Sequence, residues 1–114
     1  MLISVVITTK NEEKNIENCL KSIKTQTYQD KIEIIVVDNN SIDKTKEIAG
    51  KYTDLIFDKG PERSSQRNFG VRQSNGEYFL YLDADMILHP EVTSECVELA
   101  GKNPEIIGLY IPEI

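Results

Sequence analysis

The sequence predicts an α/β protein, a three-layer α/β/α sandwich around a mainly parallel sheet. Three observations carry that prediction. Short β-branched runs, nearly all apolar, recur along the chain in the manner of strands buried on both faces. Segments with apolar residues at helical spacing separate them. Acids close three of the strand-like runs, at Asp38, Asp58 and Asp83.

Leu2–Ile7, interrupted only by Ser4, is the first strand. Asn11-Glu12-Glu13 reads as a helix start, a capping Asn followed by first-turn acids. Ile16, Cys19, Leu20 and Ile23 supply the apolar stripe of that helix. Ile32–Val37 is the second strand and ends at Asp38. Asn39-Asn40-Ser41 is a turn, and Asp43 caps a short helix that Gly50 helps to end. Leu55-Ile56-Phe57 is a third, shorter strand. Beyond Gly60-Pro61, Ser64 or Ser65 can cap a helix reaching Ser74, with Gly76 as its stop. Tyr78–Leu82 is the fourth strand and ends in Asp83. Pro90 opens a helix toward Gly101, and Ile106–Ile111 is a last strand. Strand and helix in this rhythm, without linker or repeat, make residues 1–114 one Rossmann-like domain.

Composition narrows the function classes. The chain has 114 residues, enough for one hydrophobic core, and 39% hydrophobic with 28% charged residues fits a folded soluble protein. Its net charge of −6 argues against sequence-independent nucleic-acid binding, which needs a basic surface. No apolar run is long enough to span a bilayer, and no signal-peptide pattern follows Met1. A cytoplasmic location is expected, at the membrane surface only through a partner. Cys19 and Cys96 lack metal-ligand spacing and read as buried thiols of a reducing compartment. A single histidine argues against a His-based metal site.

In open parallel sheets, ligands bind beyond the carboxyl ends of the strands, near the point where strand order reverses. The residues there are Thr8-Thr9-Lys10-Asn11, Asp38-Asn39-Asn40-Ser41, Asp58 and Asp83-Ala84-Asp85. Carboxylates gathered on one rim require a cation among them. Residues 59–75 carry Lys59, Arg63, Arg67 and Arg72 against Glu62, a local charge of +3, whereas residues 77–98 carry six acids and no Lys or Arg. A basic helix beside an acidic strand end suits a ligand that brings both phosphate and a divalent cation. In an extended segment Asp83 and Asp85 point the same way, and their hard oxygens favour Mg²⁺ or Mn²⁺ over zinc. The alternative is that Asp85 merely decorates a turn before Pro90.

Four segments, in order, resemble the nucleotide-sugar-binding N-terminal half of the family 2 glycosyltransferases, which have the A-type glycosyltransferase (GT-A) fold. They are Val6–Glu13, Ile35–Thr45, Arg67-Asn68-Phe69-Gly70 and Gly76–Asp85. The resemblance implies that Asp38 accepts a hydrogen bond from the donor's base, typically uracil, with Thr9 and Asn11 lining the base pocket. Asn40 stands where the family usually has Gly, and Asn tolerates the left-handed turn required there. Arg67 would lie near the diphosphate, Asp83 would hold the ribose or the metal, and Asp85 would coordinate the Mg²⁺ or Mn²⁺ that bridges the phosphates. Blander readings stand beside these: an Asx-turn for Asp38, a helix cap for Asn11, and a solvated helix face for Arg63 and Arg72. His89 belongs to the helix-entry turn, and Tyr78, Phe79 and Tyr81 to strand packing.

Thr8 replaces the family's common Pro, and Lys10 a small or aromatic residue, so the base stays open while a UDP-sugar is favoured. The implied reaction is transfer of a sugar from a nucleoside diphosphate to an acceptor hydroxyl. The acceptor region is expected to be absent, since no residue after Asp85 is placed as the acceptor base; self-association or a second chain is expected to complete the protein. The alternative is a non-catalytic nucleotide- or partner-binding module of the same fold. A dinucleotide oxidoreductase would need glycines in the first strand-to-helix turn, and none precedes Gly50. A P-loop protein would need Gly-Lys-Ser/Thr after a strand, and a receiver domain would need paired acids where Thr8-Thr9-Lys10 stand.

Overall fold

The computed structural model describes residues 2–28, 31–76 and 78–102. Strands β1 (Ile3–Thr9), β2 (Ile32–Asp38), β3 (Ile56–Asp58) and β4 (Tyr78–Asp83) form one parallel sheet in the order β3-β2-β1-β4. Helices α1 (Ile16–Lys24), α2 (Thr45–Ala49), α3 (Arg63–Gln73) and α4 (Val92–Lys102) alternate with them. Strand order reverses at β1: β2 and β3 step out on one side and β4 on the other. The crevice that such a reversal creates therefore opens beyond the carboxyl ends of β1 and β4.

All seven residues of β1 are buried, which explains their lack of polar alternation. Ile3, Val5 and Ile7 share one face with Ile34, Val36, Leu80 and Leu82 and pack on Ile16, Cys19, Leu20 and Ile23 of α1. Ala49 of α2, with Val92 and Cys96 of α4, completes this layer. Val6, Ile35 and Val37 face the other way, toward Phe69 and Val71 of α3 and toward Leu55 and Phe57. Each fully buried aliphatic side chain contributes roughly 1.5–3 kcal/mol, so the larger layer on the α1 side dominates stability.

The smaller layer depends on a close approach at Gly70. A Cβ there would sit 2.4 Å from Val6 Cγ1 and 3.2 Å from Val37 Cγ2, so only hydrogen lets α3 lie this near the sheet. The far end of β1 is held by a polar clamp. Ser4 donates its hydroxyl to Glu33 at 2.9 Å, and Asn75 donates its N–H at 2.9 Å and its amide at 3.1 Å to the same carboxylate. Desolvation raises the pKa of Glu33, but the Asn75 and Ser4 hydrogen bonds outweigh it and hold the carboxyl below its ordinary 4.5.

The four helix starts differ from expectation. Asn11 does not cap α1; it takes a left-handed φ of 51° well before the helix, whose N-cap Asn15 makes no side-chain capping bond. Its side chain is instead used by a distant loop, described below. Ser64 and Ser65 lie inside α3, which starts at Arg63 after Glu62. Pro90 sits two residues ahead of α4, its carbonyl accepting the Thr27 N–H at 2.8 Å. Asp43 lies one residue ahead of Lys44, the N-cap of α2, and accepts the Thr45 N–H at 3.0 Å in a turn before the helix; the Thr45 hydroxyl bond leads in holding its carboxyl below the usual range. The expected strand Ile106–Ile111, and the self-association argued from it, lie outside the described residues.

Gly70→Ala is expected to cost about 1–3 kcal/mol of stability through overpacking. Val6→Ala in the same chain should recover part of that loss, which a urea-unfolding double-mutant cycle measures as coupling. The lowered pKa of Glu33 means that its contribution is complete above pH 4.5 and lost as pH falls through its folded value. Glu33→Gln should therefore be less stable than the parent near neutral pH, with the difference shrinking as acid titrations pass below pH 4.5.

Candidate functional site

A cleft of about 150 Å³ lies where the sheet topology places it. Thr8, Thr9 and Lys10 line it from the end of β1, Arg63 and Gln66 from α3, and Asp83 and Asp85 from the end of β4, with Glu12 at the rim. Asp83 is its best-connected carboxylate. It is the register partner of Thr8, whose hydroxyl donates to Asp83 Oδ1 at 3.0 Å. Arg63 Nη1 lies 3.4 Å from Oδ2 and Arg67 Nη2 lies 4.0 Å from Oδ1. The Arg63 side chain is 63% exposed, and such pairs contribute at most ~1 kcal/mol, so these arginines are exchangeable partners. The Arg67 guanidinium also stacks 5.8 Å from the centroid of the Tyr81 ring.

Three readings change here. Arg63 is not simply a solvated helix face, because it reaches the cleft. Tyr81 is not only strand packing: it is 37% exposed and carries Arg67 on its ring. Arg72 is exposed, as expected. Asp85 lies in a turn rather than an extended segment, the turn being closed by the Met86 N–H on the Asp83 carbonyl at 2.9 Å. Both acids nonetheless line one cleft. Behind them, burial, followed by the charges of Asp85 and Asp83, pushes the Cys19 thiol up to about 12. It is a protonated, unreactive thiol of the kind expected.

Asp38 is fully buried, and its two carboxylate oxygens accept the Ser41 N–H at 2.7 Å and the Ser41 hydroxyl at 2.6 Å. This is the expected Asx-type turn; with no exposed surface, Asp38 does not line the cleft, unlike the base contact that the resemblance implies for it. Asn40, inside the turn, has a φ of 50°, the left-handed conformation that its residue type tolerates. Ser41 Oγ accepts the Asn11 N–H at 2.7 Å, and Asn11 Oδ1 accepts the Ile42 N–H at 2.9 Å. The Glu12 N–H donates to Thr45 Oγ1 at 2.9 Å and the Glu13 N–H to Asp43 at 3.2 Å. The loops after β1 and β2 are thus sewn together.

Gln66 carries structure that the sequence did not announce. It is buried, and its amide donates to the Val37 carbonyl at 2.8 Å and the Thr9 carbonyl at 3.2 Å, tying α3 to the ends of β1 and β2. One Gln in a polar helix carries no periodic signal that would single it out. Thr9 Oγ1 and Arg67 Nε are buried without a partner among the described residues. Unsatisfied donors of this kind, next to a cleft, are what an acceptor-rich ligand would complete. No group of three or more His, Cys, Asp or Glu residues converges among the described residues. A cation here would take Asp83 and Asp85 and draw its remaining ligands from outside the chain, as Mg²⁺ commonly does.

A parallel Rossmann-like sheet with acids and arginines across its switch point is an α/β domain of the GT-A fold. The Glycosyl transferase family 2 model matches residues 4–112, and the chain belongs to that family. It is 36% identical over 115 residues to Glycosyltransferase AglE of Haloferax volcanii, covering 93% of this chain and 38% of AglE. Among solved structures it is similar to S. aureus TarS 1–349 in complex with UDP, at a TM-score of 0.81 and 25% identity, covering 99% of this chain and 38% of that one. It also matches the mannosyltransferase PcManGT of Pyrobaculum calidifontis in complex with GDP-Man and Mn²⁺, at a TM-score of 0.73 and 28% identity, covering 86% of this chain and 32% of that one. The chain thus spans less than two-fifths of the length of these relatives. No helix among the described residues is long and apolar enough to cross a membrane.

Ser41→Ala would leave the buried Asp38 carboxylate short of one hydrogen bond and the Asn11 N–H short of its acceptor. A loss of about 1–3 kcal/mol is expected, measured by thermal or urea unfolding.

Proposed function

We propose that this chain is the donor-binding part of a glycosyltransferase: it holds a nucleoside-diphosphate sugar, UDP-sugar favoured, together with Mg²⁺ or Mn²⁺. The observation that carries the reading is the single cleft in which Asp83 and Asp85 face Lys10, Arg63 and the neighbouring Arg67. Carboxylates alone would repel a diphosphate, and arginines alone would not hold a cation; together they suit a metal-bound diphosphate. The unpartnered Thr9 hydroxyl, in the cleft lining, supplies a further donor for such an acceptor-rich ligand.

The cleft volume of about 150 Å³ falls below the roughly 300 Å³ at which pockets enclose a whole small ligand. That space suits the diphosphate and its cation, leaving base and sugar to the open rim. In this reading Thr9, Asn11 and Asn40 form the base side of that rim, and the buried Asp38 holds the turn beneath it. Arg67 and Arg63 pair with phosphate oxygens, and Asp83 and Asp85 hold the cation. When bound, the cation would stabilise negative charge on the departing diphosphate. This chain's own arginines share that task by pairing with the same oxygens. The known complexes of relatives support a nucleotide ligand without deciding the base, since TarS is complexed with UDP and PcManGT with GDP-Man and Mn²⁺.

Calorimetry with UDP, GDP and their sugars, with Mn²⁺ or with EDTA, tests the proposal. Binding should need the divalent cation, and equal affinity in EDTA would defeat the reading. Asp85→Ala should remove the metal dependence without unfolding the chain, because an exposed turn carboxylate adds little to the core.

A further inference from the structure

Three side chains meet the Asp83 carboxylate among the described residues, and they differ in kind. Arg63 and Arg67 approach to 3.4 and 4.0 Å from a helix, beyond good hydrogen-bond length, with side chains 63% and 42% exposed. Thr8 makes a true hydrogen bond at 3.0 Å from a site only 4% exposed. Its backbone is locked to the same strand: Thr8 and Asp83 are register partners, and the Thr8 carbonyl accepts the Ala84 N–H at 3.1 Å. A β-branched side chain in a strand has few χ1 choices, so the hydroxyl cannot follow a carboxylate that swings away. Thr8 is also neutral, so it orients Asp83 without competing for a cation's place. Proline, the residue expected here from the family resemblance, has no hydroxyl to give.

We infer that Thr8 is a positioning residue for Asp83. Its hydroxyl pins Oδ1 and leaves Oδ2, now beside Arg63, as the oxygen that meets a divalent cation. Arg63 is the partner that Oδ2 exchanges for that cation. Without the Thr8 bond, Asp83 is free to turn toward the two arginines and close on itself as an ion pair. The inference rests on the metal-dependent diphosphate reading above and adds to it a determinant outside the acidic pair.

The test uses the full chain as parent, Thr8→Val and Thr8→Ser, with Mn²⁺ and UDP or GDP as probes. Calorimetry gives nucleotide affinity with Mn²⁺ and in EDTA, and Mn²⁺ electron paramagnetic resonance reports the symmetry of the bound ion. Thr8→Val should weaken Mn²⁺-dependent binding by about 10- to 100-fold, the usual effect of losing a residue that orients a metal ligand. Its affinity in EDTA should match the parent's, the Mn²⁺ spectrum should change, and Thr8→Ser should restore both readouts. Thr8→Ala takes the place of Thr8→Val if the valine chain does not fold. Unchanged Mn²⁺-dependent binding in Thr8→Val overturns the inference and leaves the proposed function standing. An equal loss with and without metal, or no rescue by serine, marks Thr8 as merely structural and also overturns it. A parent that binds neither nucleotide in a Mn²⁺-dependent way overturns the proposed function and this inference together.

Discussion

A carboxylate shut away from solvent must be satisfied by its own chain, and at Asp38 this requirement shapes one whole side of the cleft. Ser41 meets it with both its N–H and its hydroxyl. Reaching back over three residues demands a tight turn, which Asn40 allows by taking a left-handed backbone. The Ser41 oxygen is then positioned to accept from Asn11, and Asn11 in turn receives Ile42. Glu12 on Thr45 and Glu13 on Asp43 extend the seam. Two loops that would otherwise move separately become one piece, and Thr9 and Lys10 are carried on it.

The opposite wall is set by packing rather than by hydrogen bonds alone. Gly70 admits α3 to within contact of Val6, and Gln66, one turn earlier, ties the helix to the ends of β1 and β2. α3 packs on those two strands. Its arginines consequently reach Asp83 from the side, and Arg67 settles on the half-exposed Tyr81 of β4. The opposite charges of the α3 and β4 segments, separate along the chain, meet across a few ångströms. In that arrangement Asp83 is paired with exposed cations that contribute little to stability. The polar donors left unmatched nearby, Thr9 Oγ1 and Arg67 Nε, belong to the same unfinished surface.

Membership of the glycosyl transferase family 2 and the resemblance read from four short segments agree, and the reason is physical. Val6–Glu13 and Gly76–Asp85 line the cleft, Ile35–Thr45 carries β2 and the loop sewn to Asn11, and Arg67–Gly70 brings α3 onto the sheet. The segments that make a recognisable pattern are those that must meet in space. Asn40 shows how a departure is absorbed: the turn keeps its left-handed residue although the side chain differs.

The sequence by itself determined the strands, the α1 stripe and the acidic strand ends, because burial leaves a periodic mark on each segment separately. β1 and β2 are readable as apolar β-branched runs since both their faces are covered, and Ile16, Cys19, Leu20 and Ile23 recur at helical spacing since one face is. Polar side chains carry no such mark. Asn11 looks like a cap in its own neighbourhood, yet its partners Ser41 and Ile42 lie 30 residues or more away. Ser64 and Ser65 have the chemistry of caps, while the helix already starts at Arg63, after Glu62. Arg63, Gln66 and the Thr8–Asp83 bond across 75 residues became visible only when parallel pairing set β1 beside β4 and Gly70 let α3 settle on the sheet. Which polar groups become neighbours is decided by the order of strands in the sheet, and that order is a property of the whole fold rather than of any stretch of residues.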